Sequence, residues 1–338
     1  MTTTTGKSLI TERPVWLITG CSTGFGHELA KQVLELGYRT VVTARNPNEV
    51  SALAAMGDAL VLALDVTDRA QISAAIKATG DRFGRIDVLV NNAGIGYFAA
   101  IEEGEEDEVR RLFEINVVGL IRLIQAVLPG MRQRRTGFIV NLSSIGGLTS
   151  FPAVGFYNAS KFAVEGLSEA LWQEVEPLGI KVMLVEPSGF RTDWAGRSAN
   201  ESKRHINDYA ATAGVGRSHI RASSGNQAGD PARAARAIIN AIESRHPPHR
   251  LLLGNAAFEG AMAKLDAYFA QGRPSIHGKP VHGFTPCRSN AHEAGRVELS
   301  VTDYHSSIAC FRYFTTAGLV PRKAPRRRPS LRPWRVTI

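Results

Sequence analysis

Apolar positions in the first 250 residues fall into short runs that end at turn residues, separated by longer stretches with helical spacing. Val15-Trp-Leu-Ile-Thr19 is one such run and stops at Gly20. Residues 26–37 then put Leu29, Ala30, Val33 and Leu34 on one helical face and stop at Gly37. Thr40–Thr43, Ala59–Leu64 and Val88–Val90 read as three further strands. Beyond them the spacing predicts a long helix over 105–131, a strand over Phe138–Leu142 and a helix over 155–178. A strand over Lys181–Val185, a helix over 230–245 and a seventh strand over Arg250–Leu253 follow. Strands without polar alternation are covered on both faces, and strands that alternate with helices pair in parallel through right-handed crossovers. The pattern therefore predicts an α/β fold, a doubly wound parallel sheet of about seven strands with helices on both faces, in a single domain. Residues 188–229 are rich in Ser, Gly, Asn and Ala and too long for an ordinary loop, so they read as a substrate loop, either a lid or disordered.

The composition fits a soluble globular chain: 44% of the 338 residues are apolar and 21% are charged. No uninterrupted apolar run nears the ~18–20 residues that span a bilayer. Residues 1–13, opening Met-Thr-Thr-Thr-Thr-Gly-Lys, read as an N-terminal extension without the apolar core of a secretory signal, so a cytoplasmic protein is expected and no membrane partner. Cys21, Cys287 and Cys310 are too scattered for a disulfide framework, and with the histidines they lack metal-ligand spacing, so no metal is expected.

The net charge of +9 invites a nucleic-acid reading until it is located along the chain. Residues 1–271 hold 28 Lys+Arg against 28 Asp+Glu, whereas 272–338 hold 12 against 3. The whole excess belongs to the last 67 residues, which include Pro321-Arg-Lys-Ala-Pro-Arg-Arg-Arg-Pro329. Three readings fit this basic tail: a disordered segment contacting nucleic acid or an anionic surface, a partly ordered extension capping the domain or a subunit interface, or the product of out-of-frame translation. A nucleic-acid partner has no support outside it.

The first strand ends in Thr19-Gly20-Cys21-Ser22-Thr23-Gly24-Phe25-Gly26, directly before a helix. Glycines at this point allow a tight turn and let backbone N–H groups and the helix N-terminus approach a pyrophosphate. The second strand ends at Thr43-Ala44-Arg45-Asn46, where NAD sites tend to place a carboxylate for the ribose hydroxyls. Here a basic residue follows instead, and a guanidinium suits a 2′-phosphate. NADP is therefore preferred over NAD.

With this loop the chain resembles the short-chain dehydrogenases/reductases, Rossmann-fold enzymes with a TGxxxGxG cofactor loop. Further matches are Asn91-Asn92-Ala93-Gly94, Asn116 within Ile-Asn-Val-Val-Gly, Ser143-Ser144, Tyr157-Asn-Ala-Ser-Lys161, and Pro187-Ser-Gly189 with Thr192 behind it. The resemblance covers about 15–253, within a cofactor-binding domain placed at 14–271. It implies a catalytic set of Asn116, Ser144, Tyr157 and Lys161. Tyr157 and Lys161 lie four apart on one helix face, so an ammonium beside the phenol is expected to lower its pKa and suit it to acid–base work. Ser144, thirteen residues before Tyr157, is placed to hydrogen-bond the substrate oxygen. Only one of Ser143 and Ser144 can face the site, because strand neighbours point opposite ways. Asn116 resembles the residue that holds a water chain leading from the lysine.

The cofactor contacts that the resemblance implies are Gly20, Ser22, Thr23, Gly24, Phe25, Gly26, Arg45, Asp65, Val66, Asn92, Ala93, Gly94, Tyr157, Lys161, Pro187, Gly189 and Thr192. Tyr97, Phe98, Phe151, Phe156, Phe190 and Trp194 are candidate lining for an apolar substrate, and Arg191 and Arg197 are candidates to meet an anionic group. The expected activity is an NADP-preferring interconversion of a carbonyl and a secondary alcohol, in a homodimer or homotetramer paired through the helices at 105–131 and 155–178. The alternative is a regulatory protein of the same fold that senses NADP without turnover. Residues 254–271 extend the helical pattern through Leu265, Tyr268 and Phe269.

Overall fold

The computed structural model describes residues 13–271, which fall in one compact unit. Most of the N-terminal extension (1–12) and the basic tail (272–338), with its three readings, lie outside the described residues.

The strands are β1 (Val15–Ile18), β2 (Arg39–Ala44), β3 (Ala59–Ala63), β4 (Val88–Asn91), β5 (Gly96–Phe98), β6 (Gly137–Leu142), β7 (Ile180–Pro187), β8 (Ala199–Glu201) and β9 (Arg250–Leu253). Seven of them form one parallel sheet in the order β3-β2-β1-β4-β6-β7-β9, and β5 pairs with β8 in a small parallel sheet of its own.

The helices are α1 (Gly24–Glu35), α2 (Arg69–Phe83), α3 (Glu106–Phe113), α4 (Leu120–Arg134), α5 (Gly155–Val175), α6 (Val215–Ala222), α7 (Pro231–Glu243) and α8 (Asn255–Gln271). Along β1 the side chains divide between two cores. Trp16 and Ile18 join Leu29 and Val33 of α1 and Ile238 and Ile239 of α7. Val15 and Leu17 join Ile72 of α2, Leu123 and Val127 of α4 and Val164 of α5. Both faces are buried, which explains why the strands show no polar alternation.

Three local features depart from the sequence reading. It named no helix between the third and fourth strands, where α2 lies. The buried stripe of α2 is Ile72, Ala75, Thr79 and Phe83, too small and too polar to stand out. Its ends were signalled all the same: Asp68 accepts from the N–H groups of Ala70 and Gln71, and Gly84 at φ +80° closes the helix. The helix read over 105–131 is α3 continued into α4 through a π turn at 114–119. This continuous helix, 106–134, is long and apolar enough to cross a membrane, although Arg122 interrupts its apolar run. Its face bearing Leu120, Leu123, Ile124, Val127 and Met131 is buried under the sheet. Lastly, 188–229 is an ordered segment, with β8 paired to β5 and α6 pinned by ion pairs. Arg217 of α6, buried, meets the fully buried Glu103 at 2.6 Å, and Glu103 also accepts from the N–H groups of Ala100 and Ile206.

Strand order reverses its direction of growth between β1 and β4, the usual crevice-forming point of such sheets. There the two chain turns are tied together. Thr19 Oγ1 accepts from the N–H groups of Asn92 and Ala93 at 3.0 Å each, and Asn92 Nδ2 donates to the carbonyls of Thr19 and Gly20.

The two-core arrangement makes α7 indispensable, since its Ile238 is 0% exposed beneath the sheet. Ile238→Ala is expected to lower unfolding free energy by about 2–5 kcal/mol, measured by urea denaturation; a loss below about 1 kcal/mol would mean that the site relaxes and α7 is not part of the rigid core.

Candidate active site

A cavity of about 900 Å³ opens above the carboxyl edge of the sheet. Residues that follow six strands line it: Gly20 after β1, Arg45 after β2, Asp65 after β3, Asn92 after β4, Ser144 after β6 and Ser188 after β7. Of the implied cofactor contacts, Ser22, Thr23, Gly24, Phe25, Val66, Ala93, Gly94, Tyr157, Lys161, Pro187, Gly189 and Thr192 also line it.

The glycine loop has the build of an anion cradle. Gly20 and Gly24 take φ of +69° and +59°, which side-chain-bearing residues rarely adopt. A Cβ on Gly26 would lie 2.3 Å from the Gly20 carbonyl and 2.4 Å from Asn92 Nδ2, so only glycine lets α1 begin this close to β4. Gly26 therefore supports the loop from below and does not line the cavity. Thr23 at the N-cap of α1 makes no side-chain cap, which leaves first-turn N–H groups without a side-chain partner at the cavity's edge. These residues fit a dinucleotide pyrophosphate.

At the other end, Ser144, Tyr157 and Lys161 come together. Ser144 caps the turn at 145–147 by accepting from Gly146 N–H at 3.0 Å, and it hydrogen-bonds Tyr157. Lys161 Nζ sits 5.7 Å from the Tyr157 ring centroid and donates to the Leu142 carbonyl at 2.6 Å. Ser143 Oγ points the other way and donates to Glu165. The two serines thus divide as strand geometry requires, with Ser144 on the cavity side.

The electrostatics differ from the sequence expectation. Burial, rather than the neighbouring ammonium, sets the direction of the Tyr157 shift in this structure. Burial pushes the phenol up to about 12, with the Ser144 hydrogen bond opposing, and burial pushes the Lys161 ammonium down to about 8 while Glu165 opposes. Both groups lie in a region where desolvation outweighs their mutual effect. At neutral pH the phenol is a proton donor and the lysine a cation.

Asn116 does not line the cavity. The π turn carries it under the strand end, where Oδ1 accepts from Ile95 N–H at 2.9 Å and Nδ2 donates to the Ile95 carbonyl and to Ser160 Oγ. Its contacts clamp the backbone beside Gly94, where an added Cβ would come within 3.3 Å of Asn116 Oδ1 and 3.8 Å of Lys161 Nζ.

The aromatic lining divides in the same way. Phe151, Phe190 and Trp194 face the cavity, the Trp194 ring 4.7 Å from that of Tyr157. Tyr97 and Phe98 are buried in a small core with Phe156 packed against it. Arg191 is taken up by the carbonyls of Gln227 and Ala228 and by Asp230, and Arg197, which reaches the cavity wall, by Asp193.

Sequence reasoning missed three contributors. Glu49, in the 3-10 turn Pro47–Met56, lines the cavity as Arg45 does, so this end does carry a carboxylate, five residues past the strand end where none was found. Asn158 Nδ2 donates to the carbonyls of Gly146 and Thr149 and so holds the Ser144 turn; its position next to Tyr157 was the available signal. Ala256 and Gly260 of α8 close one wall, which only the tertiary fold discloses.

The family model for short chain dehydrogenases matches residues 14–203. An oxidoreductase of Botryotinia fuckeliana is 39% identical over 73% of this chain and 91% of its own length. A 3-ketodihydrosphingosine reductase of Bacteroides thetaiotaomicron is 39% identical over 70% of this chain and 87% of its own. Among solved structures, a short-chain dehydrogenase from Streptomyces avermitilis superposes with a TM-score of 0.72 at 42% identity, covering 77% of this chain and 94% of that one. More distant members at 24% and 26% identity, with TM-scores of 0.69 and 0.57, were solved with NAD and with NADP respectively. The chain belongs to the short-chain dehydrogenase/reductase family. It is an oxidoreductase of CH–OH and C=O groups that uses a nicotinamide cofactor.

Gly26→Ala is expected to weaken NADPH binding by about tenfold or more, the equivalent of at least ~1.4 kcal/mol of lost complementarity. Titration of the cofactor's fluorescence measures this. Unchanged affinity would show that the loop tolerates the displacement and that its close approach to Asn92 is not needed for binding.

Proposed function

We propose that the protein interconverts a secondary alcohol and an apolar carbonyl compound with NADP preferred, Tyr157 giving or taking the proton. The observation that carries this reading is the convergence of Ser144, Tyr157 and Lys161 on one wall of the cavity whose far end is the glycine cradle. When bound, the cofactor supplies or accepts the hydride at the substrate carbon.

Ser144 Oγ, fixed by Gly146 N–H, orients the substrate oxygen and shares the charge that develops on it. Tyr157 Oη, protonated at neutral pH, delivers its proton to that oxygen in reduction and recovers it in oxidation. Lys161, held by the Leu142 carbonyl, keeps positive charge under the phenol and favours the phenolate left after transfer. Phe151, Phe190 and Trp194 exclude water and favour an apolar substrate. The reductase from Bacteroides thetaiotaomicron is named for a keto compound, 3-ketodihydrosphingosine, which agrees with reduction of a carbonyl.

Arg45 supports a 2′-phosphate contact and the neighbouring Glu49 opposes it, so preference for NADP rests on the arginine. The exposed faces of α4 and α5, the latter carrying Phe162, serve a homodimer or homotetramer in this reading.

Turnover of NADPH and NADH against a panel of apolar ketones, aldehydes and quinones tests the proposal. Tyr157→Phe is expected to lower kcat by about 10²–10⁴-fold with NADPH affinity retained. Equal rates in the variant would remove Tyr157 from the acid/base role, and NADPH binding without turnover on any carbonyl would favour a sensor.

Arg45→Ala is expected to raise the KM for NADPH by about tenfold or more while leaving that for NADH within about twofold, the loss of one charge-assisted contact. Faster reaction of the unmodified protein with NADH would overturn the NADP preference.

In the direction of reduction, kcat/KM is expected to fall as pH rises through about 8, where Lys161 loses its proton. A profile flat from pH 6 to beyond about 9 would contradict the role of that charge.

A further inference from the structure

Behind the site, on the far side of Ser143 from the cavity, lies a group of buried charges that the reaction does not touch. Glu186 on β7 is 0% exposed and Glu165, one turn past Lys161 on α5, is 5% exposed. A single guanidinium, Arg250 on β9, donates Nη1 to both, to Glu165 Oε2 at 2.6 Å and to Glu186 Oε1, and Nη2 to the half-exposed Glu169. Ser143 Oγ donates to Glu165 Oε1. The other oxygen of Glu186, Oε2, is fully buried and has no donor.

Two buried carboxylates sharing one arginine, with one oxygen left over, are not stable as a fully ionised pair. A proton placed between the two carboxyls removes one negative charge, gives the orphaned oxygen a partner and turns repulsion into a short carboxylic acid–carboxylate hydrogen bond. Burial and the neighbouring Glu165 charge both push the Glu186 carboxyl well above the usual carboxylate range, against the opposing pull of Arg250.

We propose that Glu165 and Glu186 share one proton at neutral pH, and that this pair, fastened by Arg250 and Ser143, is a positioning unit that keeps one negative charge beside the Lys161 ammonium and fixes the β6 end that carries Ser144. The proposal rests on the reading of Tyr157 and Lys161 as the acid/base unit. The contacts of Glu165 and Ser143 run toward the site. Glu165 faces Lys161 along α5 and stabilises its charge against the desolvation that lowers it. Ser143 precedes Ser144 directly. Gly147, at the end of the Ser144 turn, has no room for a Cβ, which would come within 2.6 Å of Ser143 Oγ and 2.9 Å of Glu165 Cγ.

The charged groups that act on Glu186 are Glu165 from α5 and Arg250 from β9; Arg250 also holds Glu169 and stands next to His249 in the chain. The His249 ring stacks on Trp172 at 4.5 Å, and its Nδ1 lies 3.3 Å from the Val182 carbonyl. Tyr157 is reached only through Lys161 and Ser144.

Infrared spectra of the full-length protein, with glutamate carried as the ¹³C-carboxyl isotopologue, decide whether the proton is there. A C=O band of protonated glutamic acid that persists at pH 7, bleaches by about pH 9 and is missing in Glu186→Gln is expected. Absence of that band in the unmodified protein at pH 7 overturns the shared proton, whatever the substrate proves to be and whether or not the variant folds.

The positioning role is read separately, from the pH dependence of kcat/KM. Glu165→Gln leaves the negative charge of the pair on Glu186, farther from Lys161, and the alkaline limb is expected to move about one unit to lower pH, a roughly tenfold loss of rate above it. A variant that binds NADPH normally and keeps the limb in place overturns the positioning role while leaving the assignment of Tyr157 intact. Loss of activity at all pH values in the unmodified protein would instead strike the reading of Tyr157 and Lys161, with the infrared result standing by itself.

Discussion

The arrangement turns on an ammonium that is kept out of water. Lys161 is 6% exposed, and burial lowers its hold on its proton. The Leu142 carbonyl accepts from it, Glu165 supplies opposite charge, and Tyr157 lies across it. Those three partners come from β6 and α5, so the angle between this strand and this helix sets the geometry of the site. Asn116 contributes from a third direction by pinning Ile95 beside Gly94, which keeps the backbone close without a side chain in the way.

The fold supplies this geometry because a parallel sheet with both faces buried delivers every strand end to one edge. Two cores of similar size hold the sheet, and neither face has room to shift without opening the other. At the crevice, the bonds from Asn92 to Thr19 and Gly20 lock the β1 and β4 turns together, and the cavity inherits its floor from that lock. The segment over 188–229 closes the opposite wall. It is held by a buried ion pair, Glu103–Arg217, and by Arg221, which donates to the carbonyls of Ala195, Gly196 and Ala199.

The layered fold and the meeting of Ser144, Tyr157 and Lys161 at one cavity were legible in the sequence because both depend on local pattern: apolar runs bounded by glycine, and polar residues at fixed spacing from strand ends. Helix α2 escaped because alanine and threonine form much of its buried stripe. The division of the aromatic residues escaped because Phe98 and Phe151 look alike in sequence, and only the β5–β8 pairing puts the first in a core and the second at a wall. Glu49 escaped because a turn, not the strand end, brings it to the cavity. The pKa order of Tyr157 and Lys161 escaped for a further reason: helix spacing places two groups side by side and carries no information on how deeply both are desolvated.

Reduction of an apolar ketone with NADPH bearing deuterium at the C4 position that is transferred is the most direct test of the account. The account requires deuterium on the carbinol carbon of the product, a proton from solvent on its oxygen, and loss of both in Tyr157→Phe with cofactor affinity kept. Deuterium released to water instead, or transfer undiminished in the variant, would contradict it.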